Sequence, residues 1–202
     1  MADQTRENFT YFQINLSSIQ GRITFTFILS TFFTLVYIGV INNFWQSIDN
    51  DKETLIKQTK PMAFQSIQLL NLIKVTQTNL SQYLYLGDDS LEKVNKELWL
   101  IDIPRQKDTL RNQVNSLNDR AINNTFVIIN KQLGDLKQQQ RLLERTLSTT
   151  RSQRLVRYQY KNDVLFVYQE IEKSFEELID KIRQKEKNIS REISVNYKYF
   201  YR

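Results

Sequence analysis

The sequence predicts an all-α chain: one N-terminal transmembrane helix, then an antiparallel, up-down four-helix bundle with long outer helices. Three observations lead there. Residues 23–41 are an unbroken apolar run without a charge. Downstream, apolar residues recur at alternating spacings of three and four, the helical period. Only 4 Gly and 2 Pro occur in 202 residues, too few for a turn-rich β architecture.

The apolar run reads ITFTFILSTFFTLVYIGVI, 19 residues from Ile23 to Ile41, about the length that crosses a hydrocarbon core as a helix. Arg22 closes one end, and Phe44 and Trp45 stand at the other, where an aromatic belt belongs. Its Thr and Ser hydroxyls can bond back to carbonyls one turn earlier, so they do not oppose insertion. A signal peptide has a shorter apolar stretch and a small-residue cleavage site, whereas Asn42, Asn43, Phe44 and Trp45 follow here. A core helix would carry a polar face, and this one has none of substance. The expected plan is a short cytoplasmic N-terminus (1–22), a membrane helix (23–43) and an extracytoplasmic domain (44–202). Arg6 and Arg22 on one side balance Lys52, Lys57 and Lys60 on the other, so the positive-inside rule does not decide alone. Arg22 abuts the membrane while Asp49, Asp51 and Glu53 surround Lys52, which favours the N-terminus inside. The inner (plasma) membrane is the expected location.

Four helical stretches follow. In the first, Ile48, Leu55, Met62, Leu69, Thr76 and Tyr83 recur every seventh residue, with Ile73 and Leu80 on the same seam. Gly87 then stops the helix, and Asp88, Asp89 and Ser90 cap the next. The second begins with Leu91, Val94, Leu98 and Ile101 and ends with Leu110, Val114 and Leu117, out of phase. Pro104 lies between the phases, so a bend is expected near Asp102–Arg105. Asn118 and Asp119 supply a turn. The third is the most regular: Ile122, Phe126, Ile129, Leu133, Leu136, Gln140, Leu143 and Leu147, a coiled-coil-like seam with one polar member. Residues 148–152 read as a turn. The fourth places Val164, Tyr168, Ile171, Phe175, Leu178, Ile182, Lys185 and Ile189 on one seam and runs on to Tyr197, Tyr199, Phe200 and Tyr201.

Short turns between sustained seams predict an up-down bundle. The outer helices, at roughly 65 Å, exceed the inner pair, at roughly 45 Å, by roughly 20 Å. If the first leaves the membrane, the last should return to it, ending in aromatics suited to a lipid interface. A second membrane helix beyond Arg202 is therefore expected; a single-pass protein whose tail frays is the alternative.

Composition excludes several functions. The chain has no cysteine and no histidine, which removes the thiolate nucleophile, the commonest general base and the commonest metal ligand. No glycine-rich phosphate loop and no serine in a nucleophile context is present, so no enzyme and no cofactor is expected. The net charge of +6, from 28 basic and 22 acidic residues, is mixed along the chain, and nothing resembles a nucleic-acid-gripping patch. The densest basic stretch, Arg151, Arg154, Arg157 and Lys161, reads as a solvated face. Asp88 and Asp89 read as capping groups beside Ser90. The patterns Asn8–Thr10, Asn15–Ser17, Asn79–Ser81, Asn123–Thr125 and Asn188–Ser190 match a glycosylation signature, as expected by chance in an Asn-rich chain.

A short polar N-terminus, an anchor beginning near SIQGRI (Ser18 to Ile23), and LSQYLYLGD (Leu80 to Asp88) at the first inter-helix turn resemble the N-terminal part of bacterial methyl-accepting chemotaxis proteins, with a related arrangement in sensor histidine kinases. The resemblance covers essentially the whole chain. It implies a homodimer packed mainly through the first helices, sensing a small molecule or a periplasmic binding protein and passing a small displacement of the last helix through the bilayer. Amino-acid receptors of that family use first-helix arginines to hold the ligand carboxylate. Here no arginine lies between Arg22 and Arg105, so that pocket does not carry over.

The candidate ligand residues are Asn71, Lys74, Thr78 and Ser81, a polar stripe on the first helix, with Arg157 and Tyr160 expected at a similar height on the fourth. Lys74 with Arg157 could hold an anion; a solvated face or dimer flank accounts for the same residues. Trp99, near Pro104, reads as packing or as a pocket wall. A membrane-tethered coiled-coil scaffold that senses nothing is the competing function.

Overall fold

The computed structural model describes residues 18–150 and 152–200. Most of the 1–22 segment, including Arg6 and the Asn8 and Asn15 patterns, lies outside the described residues, as do Arg151, Tyr201 and the side chains of Tyr199 and Phe200. Among the described residues the chain is all-α: four helical stretches and no strand. The first helix is Ile19–Leu86, the second covers 89–117, the third is Arg120–Thr150 and the fourth covers 153–200. Internal contacts divide the chain into two units, Met1–Asp49 and Asn50–Arg202.

In the first unit, the Ser18 Oγ accepts from the Gly21 N–H at 3.0 Å, occupying one of the donors that open a helix. Thr24, Thr26, Thr31 and Thr34 donate their hydroxyls to the carbonyls four residues back, at 2.8–3.0 Å. Each of these four threonines thus closes on its own helix, as expected from sequence. No residue of the apolar window is buried: Phe27 is 72% and Leu35 64% exposed. Among the described residues this is the one helix long and apolar enough to cross a membrane.

In the second unit, all four helices feed one core, from Met62 through Leu110 and Leu136 to Phe175 and Ile182. The turns follow their residues. Gly87 sits at φ 74°, the left-handed conformation glycine adopts without a Cβ penalty, and its N–H reaches the Tyr83 carbonyl at 2.9 Å. The Asp88 carboxylate then caps the second helix by accepting from the Ser90 N–H at 3.0 Å. Asn118 ends that helix at φ 51°. The Asp119 carboxylate accepts from the Ala121 and Ile122 N–H groups, and its other oxygen pairs with Lys185 at 3.2 Å. Burial pushes the Asp119 pKa up, but these donors outweigh it and hold the group below its ordinary value.

The third and fourth helices run antiparallel. Asp119 meets Lys185, the Thr125 Oγ1 accepts from Lys181 at 2.7 Å, and Gln140 reaches Tyr168, so one number rises as the other falls. The third-helix seam is buried from Ile122 to Leu143, with Leu147 partly buried. The helix continues through Ser148 to Thr150, and the fourth starts at Gln153. The expected turn at 148–152 is therefore shorter than the Ser/Thr cluster suggested; Ser148 and Thr149 bond back to the Arg145 carbonyl instead of breaking the helix.

Three wide, π-helical turns interrupt the regular period, at Leu55–Thr59, Leu98–Asp102 and Tyr160–Val164. Each is followed by an N–H that reaches five residues back: Lys60 to Leu55, Ile103 to Leu98, Leu165 to Tyr160. Pro61 and Pro104 explain the first two. A helical proline lacks its N–H and presses on the carbonyl four residues earlier, and a wider turn just before it gives that carbonyl room. The expected bend at Asp102–Arg105 is thus absorbed as a wide turn one step upstream, and the helix continues. The third wide turn has a different origin. Val156, Tyr160, Val164 and Tyr168 are all buried at spacings of four, more than 3.6 residues per turn allows; the extra residue goes into the wide turn.

The buried seam departs from the sequence period in a few places. On the second helix, Val94 and Ile101 are exposed, and Asn95, Trp99 and Ile103 hold the core positions. On the first, Leu55 is only partly buried and Leu84 replaces Tyr83 in the core.

Candidate functional site

Between the first and fourth helices lies an open cleft of about 840 Å³, its walls including Lys74, Thr78, Ser81, Tyr160, Lys161 and Glu172. The helical spacing of Lys74, Thr78 and Ser81 puts them on one face, and the wide turn at Tyr160–Val164 brings Tyr160 and Lys161 opposite. Tyr160 is 5% exposed, and burial pushes its phenol pKa up.

The sequence-expected set divides here. Lys74, Thr78 and Tyr160 come together in the cleft, Asn71 is exposed outside its lining, and Arg157 lies beyond its end. Arg157 is engaged elsewhere. Its guanidinium donates to the Leu84 carbonyl at 3.2 Å and the Tyr85 carbonyl at 3.5 Å, and it stacks 4.9 Å from the Tyr85 ring centroid. A cation there satisfies the last carbonyls of the first helix and complements its dipole. Lys74 is paired with Glu172 across the cleft. Both partners are nearly half exposed, so the pair contributes at most about 1 kcal/mol. The expected Lys74–Arg157 anion clamp is therefore not assembled, and Lys161 takes the place of Arg157 as the second cation of the lining. Its position immediately after Tyr160 was visible in the sequence; Glu172 was not, because only the fold brings it to Lys74.

Behind the cleft a polar layer crosses the core. The Gln140 amide donates to the Tyr168 hydroxyl. The Thr76 hydroxyl donates to the Ile73 carbonyl at 2.8 Å, so its oxygen accepts from the Tyr168 O–H at 3.0 Å. Three helices are joined by one chain of hydrogen bonds.

The first and fourth helices stay paired along the second unit. Arg157 meets Leu84, Tyr168 meets Thr76, Glu172 meets Lys74, and the Tyr197 hydroxyl accepts from Lys52 at 2.6 Å. One number rises while the other falls, so the two run antiparallel.

Chemically, the cleft offers a polar ligand amides, hydroxyls, the Lys161 ammonium and the Lys74–Glu172 pair, with no nucleophile held against a base. Among the described residues no group of three His, Cys, Asp or Glu side chains could hold a metal. Trp99 lines a second, smaller cleft between the second and third helices, with Asn95, Gln140 and Glu144. Comparison of the chain with protein-family models, with curated proteins and with solved structures returned no match.

Proposed function

We propose that this chain is the membrane-anchored sensory part of a bacterial transmembrane receptor, similar in plan to methyl-accepting chemotaxis proteins: a transmembrane helix at 23–43 and an extracytoplasmic antiparallel four-helix bundle. The observation that carries this reading is the antiparallel pairing of the first and fourth helices from Arg157–Leu84 to Lys52–Tyr197. A receptor needs two such rods, because displacing one against the other is a signal that can travel along the helix axis. The apolar run supports the anchor. An exposed apolar surface of this extent is costly in water, while its backbone and threonine hydroxyls are satisfied internally. The ligand is a small polar molecule in the cleft of Lys74, Thr78, Tyr160 and Lys161, or a periplasmic binding protein seated over it.

Topology tests the reading. The chain has no native cysteine, so a single Asn115→Cys reports without background. In intact bacterial spheroplasts a membrane-impermeant maleimide should label it, and the chain should stay in the carbonate-washed membrane fraction. Protection until lysis, or release from the membrane, refutes the proposal.

The partner copy belongs on the outward face of the first helix, where Ile56, Phe64, Ile67 and Val75 are exposed at helical spacing. Ile67→Cys should crosslink copies under mild oxidation in membranes, and Val127→Cys, 58% exposed in the wild type on the third helix, should not. Equal crosslinking of both assigns the contact to random collision.

A further inference from the structure

The charges around the larger cleft narrow the class of its ligand. Lys74 and Glu172 pair across it and cancel. Lys161 is exposed and, among the described residues, makes no ion pair or hydrogen bond, so the lining keeps one uncompensated positive charge. A dianion would lack a second free cation, and a cationic ligand would face the Lys161 ammonium. A zwitterion would need Glu172 for its ammonium, and Lys74 already holds that carboxylate. A single negative charge fits.

The other polar groups of the lining are neutral, and they both donate and accept. The Gln77 and Gln82 amides make no hydrogen bond among the described residues. The Thr78 hydroxyl donates to the Lys74 carbonyl at 3.0 Å, which leaves its oxygen as an acceptor. A bare carboxylate only accepts, so it would leave these oxygens unanswered. Hydroxyl groups answer both kinds. Apolar surface comes from Tyr85, Tyr160 and Leu165. The Arg157 guanidinium braces the half-exposed Tyr85 ring, 4.9 Å from its centroid. Aromatic surface beside polar groups suits a ring that carries hydroxyls at its edge and C–H groups on its face.

We propose that this cleft takes a sugar acid, a hydroxyl-rich ring with one carboxylate. Lys161 holds the carboxylate, Gln77, Gln82 and Thr78 share the hydroxyls, and the tyrosines face the C–H groups. The volume of about 840 Å³ lies within the roughly 300–1,000 Å³ of small-molecule sites and admits one such ring or two linked ones. The inference deepens the receptor reading and rests on it for the side of the membrane on which the ligand is met.

Calorimetric titration of the full chain in detergent tests it. Galacturonate should give a saturable heat. Galactose, which lacks the charge, and acetate, which lacks the hydroxyls, should each bind more weakly by about tenfold or more. Lys161→Gln should bring galacturonate down to the level of galactose. Circular dichroism checks that this variant folds; if it does not, the three-ligand comparison on the wild type decides. Digalacturonate separates two sources of the ring: tighter binding than galacturonate marks an oligosaccharide and equal binding a single sugar, and both uphold the class. No saturable heat with galacturonate, acetate or galactose binding as well as galacturonate, or unchanged selectivity in a folded Lys161→Gln, overturns the proposal. Labelling of Asn115→Cys reads the receptor proposal separately. Labelling without galacturonate binding sinks the sugar acid alone, whereas binding with a protected cysteine upholds the sugar acid and sinks the receptor.

Discussion

Phe175→Ala should destabilise the Asn50–Arg202 unit by about 3–5 kcal/mol, the range for emptying a fully buried aromatic site. Phe175 is 0% exposed and belongs to the core shared by all four helices. Two opposing effects set the size. Alanine has the higher helix propensity, a gain of at most about 0.7 kcal/mol. The lost transfer energy and the cavity left behind are several times larger, so the core term wins. Phe166 is the control: it lies on the same helix, is 56% exposed, and its truncation to alanine should stay within about 0.5 kcal/mol. Urea unfolding of the full chain in detergent, followed by circular dichroism, reads both. Equal midpoints for the two variants would mean that the fourth helix does not bury the face described above.

That face was legible in the sequence because the fourth helix keeps alternate spacings of four and three from Tyr168 to Ile182, and the third does so from Ile122 to Leu143. A regular period needs no knowledge of neighbours. The second helix was less legible for a physical reason. A three-and-four period counted from Leu91 points at Val94 and Ile101, while the fold buries Asn95, Trp99 and Ile103 at spacings of four, which the wide turn before Pro104 accommodates. An asparagine and a tryptophan also look like surface or packing residues until a second helix covers them. The larger cleft shows the same division. Lys74, Thr78 and Ser81 form a stripe that spacing alone reveals, but their partners come from far along the chain. Nothing local says that Lys74 pairs with Glu172, or that Arg157 closes on the Leu84 carbonyl.

Tyr168→Phe should cost about 1–3 kcal/mol although it removes a single oxygen. The phenol oxygen accepts from Gln140 and donates to Thr76, and its loss leaves both buried groups short of a partner. Adding Gln140→Leu should recover at least about 1 kcal/mol, because an apolar pair of similar shape carries no desolvation debt. Alkaline titration gives an independent reading. Burial pushes the Tyr168 pKa well up, against the smaller opposing effects of its hydrogen bonds to Thr76 and Gln140. The folded state therefore holds the proton that the unfolded chain releases near pH 10. This contribution is fully present below about pH 10 and is lost as pH rises from there towards the folded value, at about 1.4 kcal/mol per unit. Exposed lysines such as Lys57, raised by its hydrogen bond to Glu53, titrate in the same window but contribute little, and they are common to both proteins. The variant should thus unfold less steeply above pH 10 than the wild type; parallel curves would place the Tyr168 hydroxyl in water. On the proposed reading the same bond has a second consequence. A fourth helix that slides against the first must break Tyr168–Thr76, so the phenylalanine variant should also shift the balance between the two signalling positions.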